Sequence, residues 1–212
     1  MNVHTQSVQW ASLSIIHAGL GNCRLALPET MAELQQAVEE HPDAPILGNG
    51  SNLIGMDSDS YAIRLPLHGE FGVISQNGNL FTVGAAIPLT FFLRRAAELG
   101  YGGYAQLAGI PGTIGGVVKM NAGALGKEIG SAVRKLKGLN LKTNSPWEAE
   151  YALSEWHYRT SPIPSDIIIT SVTFELLSVN ATQELQEITQ ELQRRKRVTP
   201  EGASCGSVFR NP

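Results

Sequence analysis

The sequence predicts an α+β fold. Three segments, residues 28–41, 88–99 and 181–197, carry apolar residues at helical spacing. Runs of β-type residues separate them, and Asn77-Gly78 between two such runs is typical of a hairpin turn. With 212 residues, of which 42% are hydrophobic and 17% charged, the chain can bury a sizeable core as one large domain or two small ones.

Terminal signals support the three helices. Thr30 can cap the first helix, and Gly100 follows the second, where glycine commonly ends a helix. The third ends in the basic cluster 194–197, whose positive charges suit the negative end of a helix dipole. The apolar positions that define the helices are Met31, Leu34, Val38, Leu89, Phe92, Leu93, Ala96, Ala97, Leu185, Ile188 and Leu192.

Short β-type runs predict the strands. They lie at residues 45–47, 61–65, 71–74, 80–83, 133–141 and 166–177. Between Gly100 and Gly130 the periodicity disappears, although apolar positions remain and the stretch does not look disordered. A loop-rich stretch of this length inside a compact domain usually has a functional reason.

Composition excludes several classes of protein. The net charge of -3, without a long basic run, argues against a nucleic-acid surface. No signal peptide or long apolar run is present, so we expect a cytoplasmic protein with no membrane span. Cys23 and Cys205 are far apart in sequence, which predicts neither a disulfide framework nor a metal site.

The glycine-rich middle of the chain predicts an anion site. Glycine lets backbone N–H groups converge on a phosphate, and Thr113 and Asn121 could add side-chain donors. The spacing matches neither a triphosphate-binding loop nor the dinucleotide fingerprint. A purely structural set of turns is the alternative. We call residues 109–116 the second glycine loop, because another glycine-rich loop precedes it in the chain. The candidate residues of this loop and its continuation are Gly109, Ile110, Pro111, Gly112, Thr113, Gly115, Gly116, Asn121, Ala122 and Gly123.

A first glycine loop follows the short apolar run that ends at Leu47. Its residues are Gly48, Asn49, Gly50, Ser51 and Asn52, and the last two offer side-chain hydrogen bonds. Alone, such a loop is more often a plain connection. Two such loops without an associated lysine suit one extended ligand with two phosphates better than a triphosphate.

Five motifs in this order resemble the UDP-N-acetylenolpyruvoylglucosamine reductase family, the flavoenzymes of peptidoglycan precursor synthesis. They are Gly48-x-Gly-Ser-Asn52, Gly109-Ile-Pro-Gly-Thr-x-Gly-Gly116, Asn121-Ala-Gly-Ala124, Tyr158-Arg-x-Ser161 and Gly206-Ser-Val-Phe-Arg-Asn-Pro212. The resemblance covers roughly residues 28–212 and implies the two-subdomain FAD-binding fold of the vanillyl-alcohol oxidase (PCMH) type.

The resemblance also implies domains and cofactors. Residues 14–178 would form the PCMH-type FAD-binding domain, with subdomains at about 14–70 and 71–178, and residues 179–212 would begin a substrate-binding C-terminal domain. FAD would bind non-covalently through the two loops and Ile168, and NADPH would donate the hydride. The implied reaction converts UDP-N-acetylglucosamine enolpyruvate to UDP-N-acetylmuramate, which serves cell wall biogenesis, cell shape and cell division.

The catalytic residues implied by the resemblance are Arg159 and Ser207. Arg159 matches an arginine that pairs with the substrate carboxylate, and Ser207 matches the proton donor. Tyr158 and Asn211 are implied to contact the substrate. The alternatives are a surface salt-bridge role for the arginine and a turn role for the serine.

Members of the family continue past the last motif with a third domain that supplies a catalytic glutamate. This sequence ends at Pro212. It is therefore expected to be a fragment, one chain of an enzyme whose second chain supplies the missing domain, or a shortened paralogue. The alternative functions are a flavin-binding module without reductase activity of its own and an oxidase of another small molecule.

Overall fold

A four-stranded mixed sheet forms the first part of the computed structural model, which describes residues 3–199 and Gly202. Its elements are β1 (Thr5–Gln9), α1 (Trp10–Leu13), β2 (Asn22–Ala26), α2 (Met31–Glu40), β3 (Ile46–Leu47) and β4 (Ser60–Arg64). The strand order is β1-β2-β4-β3. Strands β2, β4 and β3 run parallel, whereas β1 pairs antiparallel with β2.

A five-stranded antiparallel sheet forms the second part, in the order β11-β10-β12-β6-β5. Its elements and those around it are β5 (Ile74–Asn77), β6 (Leu80–Gly84), α3 (Leu89–Glu98), β7 (Tyr101–Gly102), α4 (Ile114–Lys119), β8 (Gly123–Ala124), β9 (Lys127–Glu128), β10 (Val133–Asn140), β11 (Ser145–Ala149), β12 (Ile167–Glu175), β13 (Leu177–Ser178) and α5 (Ala181–Val198). Two small antiparallel pairs, β13 with β7 and β8 with β9, complete the pairing.

Buried side chains join the two sheets. One cluster combines Leu34 and Ile63 of the first part with Phe71, Ala86 and Ile168 of the second. The main core lies on the second sheet beneath α3, α4 and α5, and a smaller core fills the space between the first sheet and α1. Because the two sheets share a core, the loops that leave them are held in fixed positions relative to one another.

All three predicted helices are confirmed. Thr30 caps α2 by accepting a hydrogen bond from the Glu33 N–H at 3.2 Å. Gly100 follows α3 with φ +82°, the left-handed conformation that favours glycine after a helix. Asn180 caps α5 by accepting from the Gln183 N–H at 3.0 Å. Periodicity and capping chemistry were therefore sufficient to locate these helices.

The strand predictions are confirmed except at residues 71–74. Residues 70–72 form a short 3-10 helix, and strand β5 begins only at Ile74. Gly72 packs against Leu67: an alanine Cβ at position 72 would lie 1.5 Å from the Leu67 carbonyl oxygen. This tight turn buries Phe71 between the sheets, whereas Val73 after it is exposed, so the first half of the apolar run is a turn and not a strand. The loop-rich stretch also contains the short helix α4.

The predicted boundaries at residues 14, 70 and 178 stay predictions. The first sheet begins before residue 14, at Thr5. Helix α5 lies beyond residue 178, yet it packs against α3, and its Ile188 is part of the main core. In the part of the chain that the structure describes, no helix is both long and apolar enough to cross a membrane.

An ion-pair cluster on α5 stabilises the helix where it covers the second glycine loop. The Glu191 side chain is only 7% exposed and accepts hydrogen bonds from Arg194 Nε at 2.7 Å and Arg195 Nε at 2.9 Å. The hydrogen bond from Arg194 lowers the pKa of Glu191, and the charges of both arginines act in the same direction. The Arg195 side chain lies directly against Gly109.

We expect Glu191→Gln to lower the free energy of unfolding at pH 7 by about 1 kcal/mol. The folded-state pKa of Glu191 lies below its unfolded value, so the carboxylate contributes stability above the unfolded pKa. That contribution is lost as the pH falls through the folded pKa. Urea unfolding at neutral and acidic pH should show the difference between wild type and variant narrowing on acidification. Glu98→Gln, in an exposed pair with Arg95, should change little at either pH. If the difference in free energy of unfolding between wild type and Glu191→Gln persists in acid, the ionised carboxylate of Glu191 is not its cause.

Candidate functional site

The two glycine loops predicted from the sequence lie in contact. Ser51 Oγ of the first loop donates a hydrogen bond to the Pro111 carbonyl oxygen of the second at 2.6 Å. An alanine Cβ at position 48 would lie 3.0 Å from Thr113 Oγ1. Residues far apart in sequence therefore line one site, as the two-phosphate interpretation requires.

The centre of this site is the hydroxyl of Thr113. A Cβ at position 116 would lie 3.7 Å from Thr113 Oγ1, and no other described atom outside the local backbone lies within 4 Å of a Cβ at position 48 or 116. Thr113 occupies the N-cap position of α4, but its side chain makes no capping hydrogen bond. Two bare Cα atoms and an available hydroxyl thus border a space that side chains at positions 48 and 116 would fill.

Backbone amides supply further donors around this space. Among residues 3–199, no protein group accepts a hydrogen bond from the N–H groups of residues 48–52, Thr113 or Gly116. Peptide N–H groups without protein acceptors are free to donate to a bound phosphate. The donor set therefore fits the diphosphate of FAD.

At five other predicted glycines, the position that a Cβ would occupy lies against protein atoms, so these residues do not border the space beside Thr113. At position 50, for example, a Cβ would lie 1.8 Å from the Leu13 carbonyl oxygen, and at position 109 it would lie 2.7 Å from Arg195 Cδ. The structural interpretation that the sequence leaves open therefore holds for these five glycines, because packing requires them. They are Gly50, Gly109, Gly112, Gly115 and Gly123.

The prediction that the Asn121 side chain can donate to a bound ligand is wrong. Asn121 is fully buried with φ +41°, and its Nδ2 donates to Glu128 Oε2 and to the His157 carbonyl, both at 2.8 Å. Its Oδ1 accepts from the Gly130 N–H at 3.1 Å. The side chain is therefore used entirely within the protein, where it joins three segments.

The remaining predicted cofactor residues occupy several environments. Asn49 and Asn52 are exposed on the first loop, and Ile110 packs against the main core. Ala122 is buried and donates its N–H to the Val117 carbonyl at 2.8 Å. Ile168 is buried in the cluster between the sheets. Their contacts with a cofactor stay predictions.

Arg159 lies at the tip of a tight turn. His157 and Thr160 exchange backbone hydrogen bonds at 3.0 and 2.9 Å, which leaves Tyr158 and Arg159 as the two corner residues. Arg159 has φ +55°, a conformation that non-glycine residues adopt at a cost of about 1 kcal/mol or more. Its guanidinium carbon lies 5.6 Å from the centre of the Tyr158 ring. Asn121 holds the turn through the His157 carbonyl.

A second hydrogen bond ties the Arg159 turn to α4. Ser161 Oγ donates to the Lys119 carbonyl oxygen at 2.8 Å. Helix α4 begins beside Thr113 and ends at Lys119, and six residues of helix span about 9 Å. One short helix therefore links the centre of the two-loop site to the turn that carries Arg159. Ser207 and Asn211 lie outside the described residues.

Comparison with known proteins agrees with the fold and with FAD as the cofactor. A family described as an FAD binding domain matches residues 24–144. The solved structure of UDP-N-acetylenolpyruvylglucosamine reductase from Thermus caldophilus aligns with a TM-score of 0.83 at 31% identity, covering 100% of this chain and 76% of that one. The 6-hydroxy-D-nicotine oxidase of Arthrobacter nicotinovorans, at 13% identity and a TM-score of 0.64, shares the fold alone.

Two curated relatives are similar in sequence. The UDP-N-acetylenolpyruvoylglucosamine reductase of Wolbachia sp. subsp. Drosophila simulans (strain wRi) is 33% identical over 171 residues, which are 79% of this chain and 57% of that protein. The reductase of Alkaliphilus oremlandii (strain OhILAs) is 34% identical over 197 residues, 89% of this chain and 64% of that protein. The chain thus spans about three fifths of the length of these relatives.

The fold and the two-loop site define an FAD-binding domain of the vanillyl-alcohol oxidase (PCMH) type, as predicted. FAD is the cofactor of such a domain. The chain belongs to the UDP-N-acetylenolpyruvoylglucosamine reductase family.

We expect Gly48→Ala to weaken FAD binding at least about tenfold, because the added Cβ enters the space beside Thr113. Residue 48 does not require a positive φ, so the stability of the apoprotein should change by less than about 1 kcal/mol. Gly78→Ala is the matched control: φ is +60° there and the surroundings are open. That variant should lose stability but keep its FAD affinity. Flavin fluorescence titration measures the FAD affinity of each variant, and thermal unfolding measures its stability. If Gly48→Ala binds FAD with the dissociation constant of the wild type, FAD does not lie against residue 48.

Proposed function

We propose that the chain carries out FAD-dependent reduction of UDP-N-acetylglucosamine enolpyruvate to UDP-N-acetylmuramate, with NADPH as hydride donor, in cytoplasmic peptidoglycan precursor synthesis. One observation carries the proposal. The arginine that matches the family's substrate-binding arginine is tied, through Asn121 and Lys119, to the helix that begins at the two-loop site. The similarity to reductases of that name supports the choice of substrate.

The two loops would hold the diphosphate of FAD. Thr113 Oγ1 and the N–H groups of residues 48–52 would donate to phosphate oxygens, and the bare Cα atoms of Gly48 and Gly116 would allow close approach. When bound, FAD supplies the transfer of a hydride from NADPH to the enolpyruvyl carbon. Side chains of this protein would carry out the remaining steps of the reaction.

Arg159 would bind the carboxylate of the enolpyruvyl group. Its planar guanidinium can donate two parallel hydrogen bonds and stabilise the negative charge that develops on the carboxylate in the transition state. The turn supports this role, because two backbone bonds and the Asn121 contact hold an arginine in a sparsely populated conformation. The Tyr158 ring beneath the guanidinium restricts it further and would also contact the substrate.

Ser207 would protonate the carbon next to the carboxylate. A serine hydroxyl is a weak acid in water, but a carbanion beside a carboxylate is a far stronger base, so the transfer is feasible when the hydroxyl is positioned at that carbon. Asn211 would contribute to substrate binding. Both assignments rest on the match of residues 206–212 to the family motif.

A second candidate function is that of a flavin-binding module or subunit of the same family without reductase activity on its own. The chain spans 57% of one relative and 64% of another, so a second chain could supply the remaining part of a reductase. This candidate shares the FAD site with the first and differs only in turnover.

We expect Arg159→Ala to lower kcat/KM for substrate-dependent NADPH oxidation by about 100- to 1000-fold, and Ser207→Ala to abolish most turnover, while both keep bound FAD. Arg159→Lys should recover only part of the activity, because an ammonium cannot replace the planar pair of donors. Arg95→Ala, at an exposed pair on α3, is the control and should be unaffected.

The outcomes separate the candidates. FAD binding without substrate-dependent NADPH oxidation in the wild type supports the module. Reduction of the flavin by another small molecule without NADPH identifies an oxidase. An unchanged rate in Arg159→Ala removes Arg159 from the reaction.

A further inference from the structure

Arg64 lies beside the point where the first glycine loop leaves the sheet. It is the last residue of β4, and its Cα partner on β3 is Leu47, the residue that precedes Gly48. Neighbouring strands lie about 4.8 Å apart, a gap that an arginine side chain readily crosses. Arg64 is therefore within side-chain reach of the loop.

The loop and Arg64 share one face of the first sheet. Ala62 and Leu47 belong to the buried cluster with Trp10 and Cys23. Arg64 is two residues along β4 from Ala62, so its side chain leaves the sheet on the same side. The loop covers this side as well, because Gly50 packs on the Leu13 carbonyl oxygen.

The Arg64 side chain has no anionic partner among the residues described. Its Nε atom is buried without a hydrogen-bond acceptor, and no carboxylate of residues 3–199 forms a salt bridge with it. Burial lowers the pKa of Arg64, as expected for a cation removed from water.

A partly buried guanidinium without a counter-ion is destabilising unless an anion is bound nearby. The adjacent site offers amide donors and a hydroxyl, a donor set that selects phosphate oxygens. We propose that Arg64 is the cation that neutralises the diphosphate of FAD in the two-loop site. The proposal rests on FAD use by this domain and does not depend on reductase activity.

The test uses flavin affinity and stability instead of turnover. Arg64→Gln should raise the dissociation constant for FAD by about 10- to 100-fold and leave that for riboflavin, which has no phosphate, unchanged. Arg64→Lys should recover part of the FAD affinity. Arg24→Gln, at an exposed residue on the neighbouring strand β2, should bind FAD as the wild type does.

The stability of the apoprotein distinguishes a phosphate-binding arginine from a structural one by the direction in which the melting temperature changes. Removal of an unpaired, partly buried charge should leave the melting temperature of apo Arg64→Gln equal to or above that of the wild type, while the increase on adding FAD becomes smaller. A structural arginine would instead lower the apo melting temperature and leave FAD affinity unchanged, which would overturn the proposal.

Two further outcomes would also overturn it. If UDP binding weakens in Arg64→Gln while FAD binding does not, the arginine serves a substrate phosphate instead. If the wild type takes up no FAD, the proposal fails together with the cofactor assignment. By contrast, tight FAD binding without NADPH oxidation would contradict only the proposed reductase function.

Discussion

The hydrogen bond from Ser51 to the Pro111 carbonyl is the contact on which the candidate site depends. At 2.6 Å it joins a loop of the first sheet to a loop of the second. Next to that contact, Gly48 of the first loop lies beside Thr113 of the second, so both loops contribute donors around the same space. The cluster between the sheets, with Ile63 on one side and Phe71 on the other, fixes the positions from which both loops start.

Helix α4 extends this constraint to the proposed chemistry. Its first turn follows Thr113, and the carbonyl oxygen of its last residue, Lys119, accepts a hydrogen bond from the Ser161 hydroxyl. The Asn121 side chain continues the connection by binding the His157 carbonyl and Glu128 at once. A displacement of the glycine loop would therefore move the Arg159 turn as well, because a hydrogen-bonded helix and two side-chain hydrogen bonds connect them. Such direct connections suit a reaction in which carboxylate binding and hydride delivery must be aligned.

Local sequence signals were sufficient for much of the fold. Helical periodicity with Thr30 and Gly100 at the ends located α2 and α3, since both signals act within a few residues. Glycine content located the two loops. It could not separate Gly48, which borders the open space, from Gly50, which packs on Leu13, because that difference depends on a distant segment. For the same reason, nothing near Asn121 in sequence indicates that its side-chain amide donates to the His157 carbonyl oxygen.

Arg64 shows why a site residue can escape a sequence motif. It ends a strand of ordinary β pattern, and only its register opposite Leu47 places it beside the first loop. Its unpaired charge becomes apparent only when the acceptors around it are known. A ligand that binds only the folded state stabilises the fold in proportion to the logarithm of its free concentration over its dissociation constant. Any charge pairing gained on FAD binding at Arg64 would therefore stabilise the first sheet and the joined loops together.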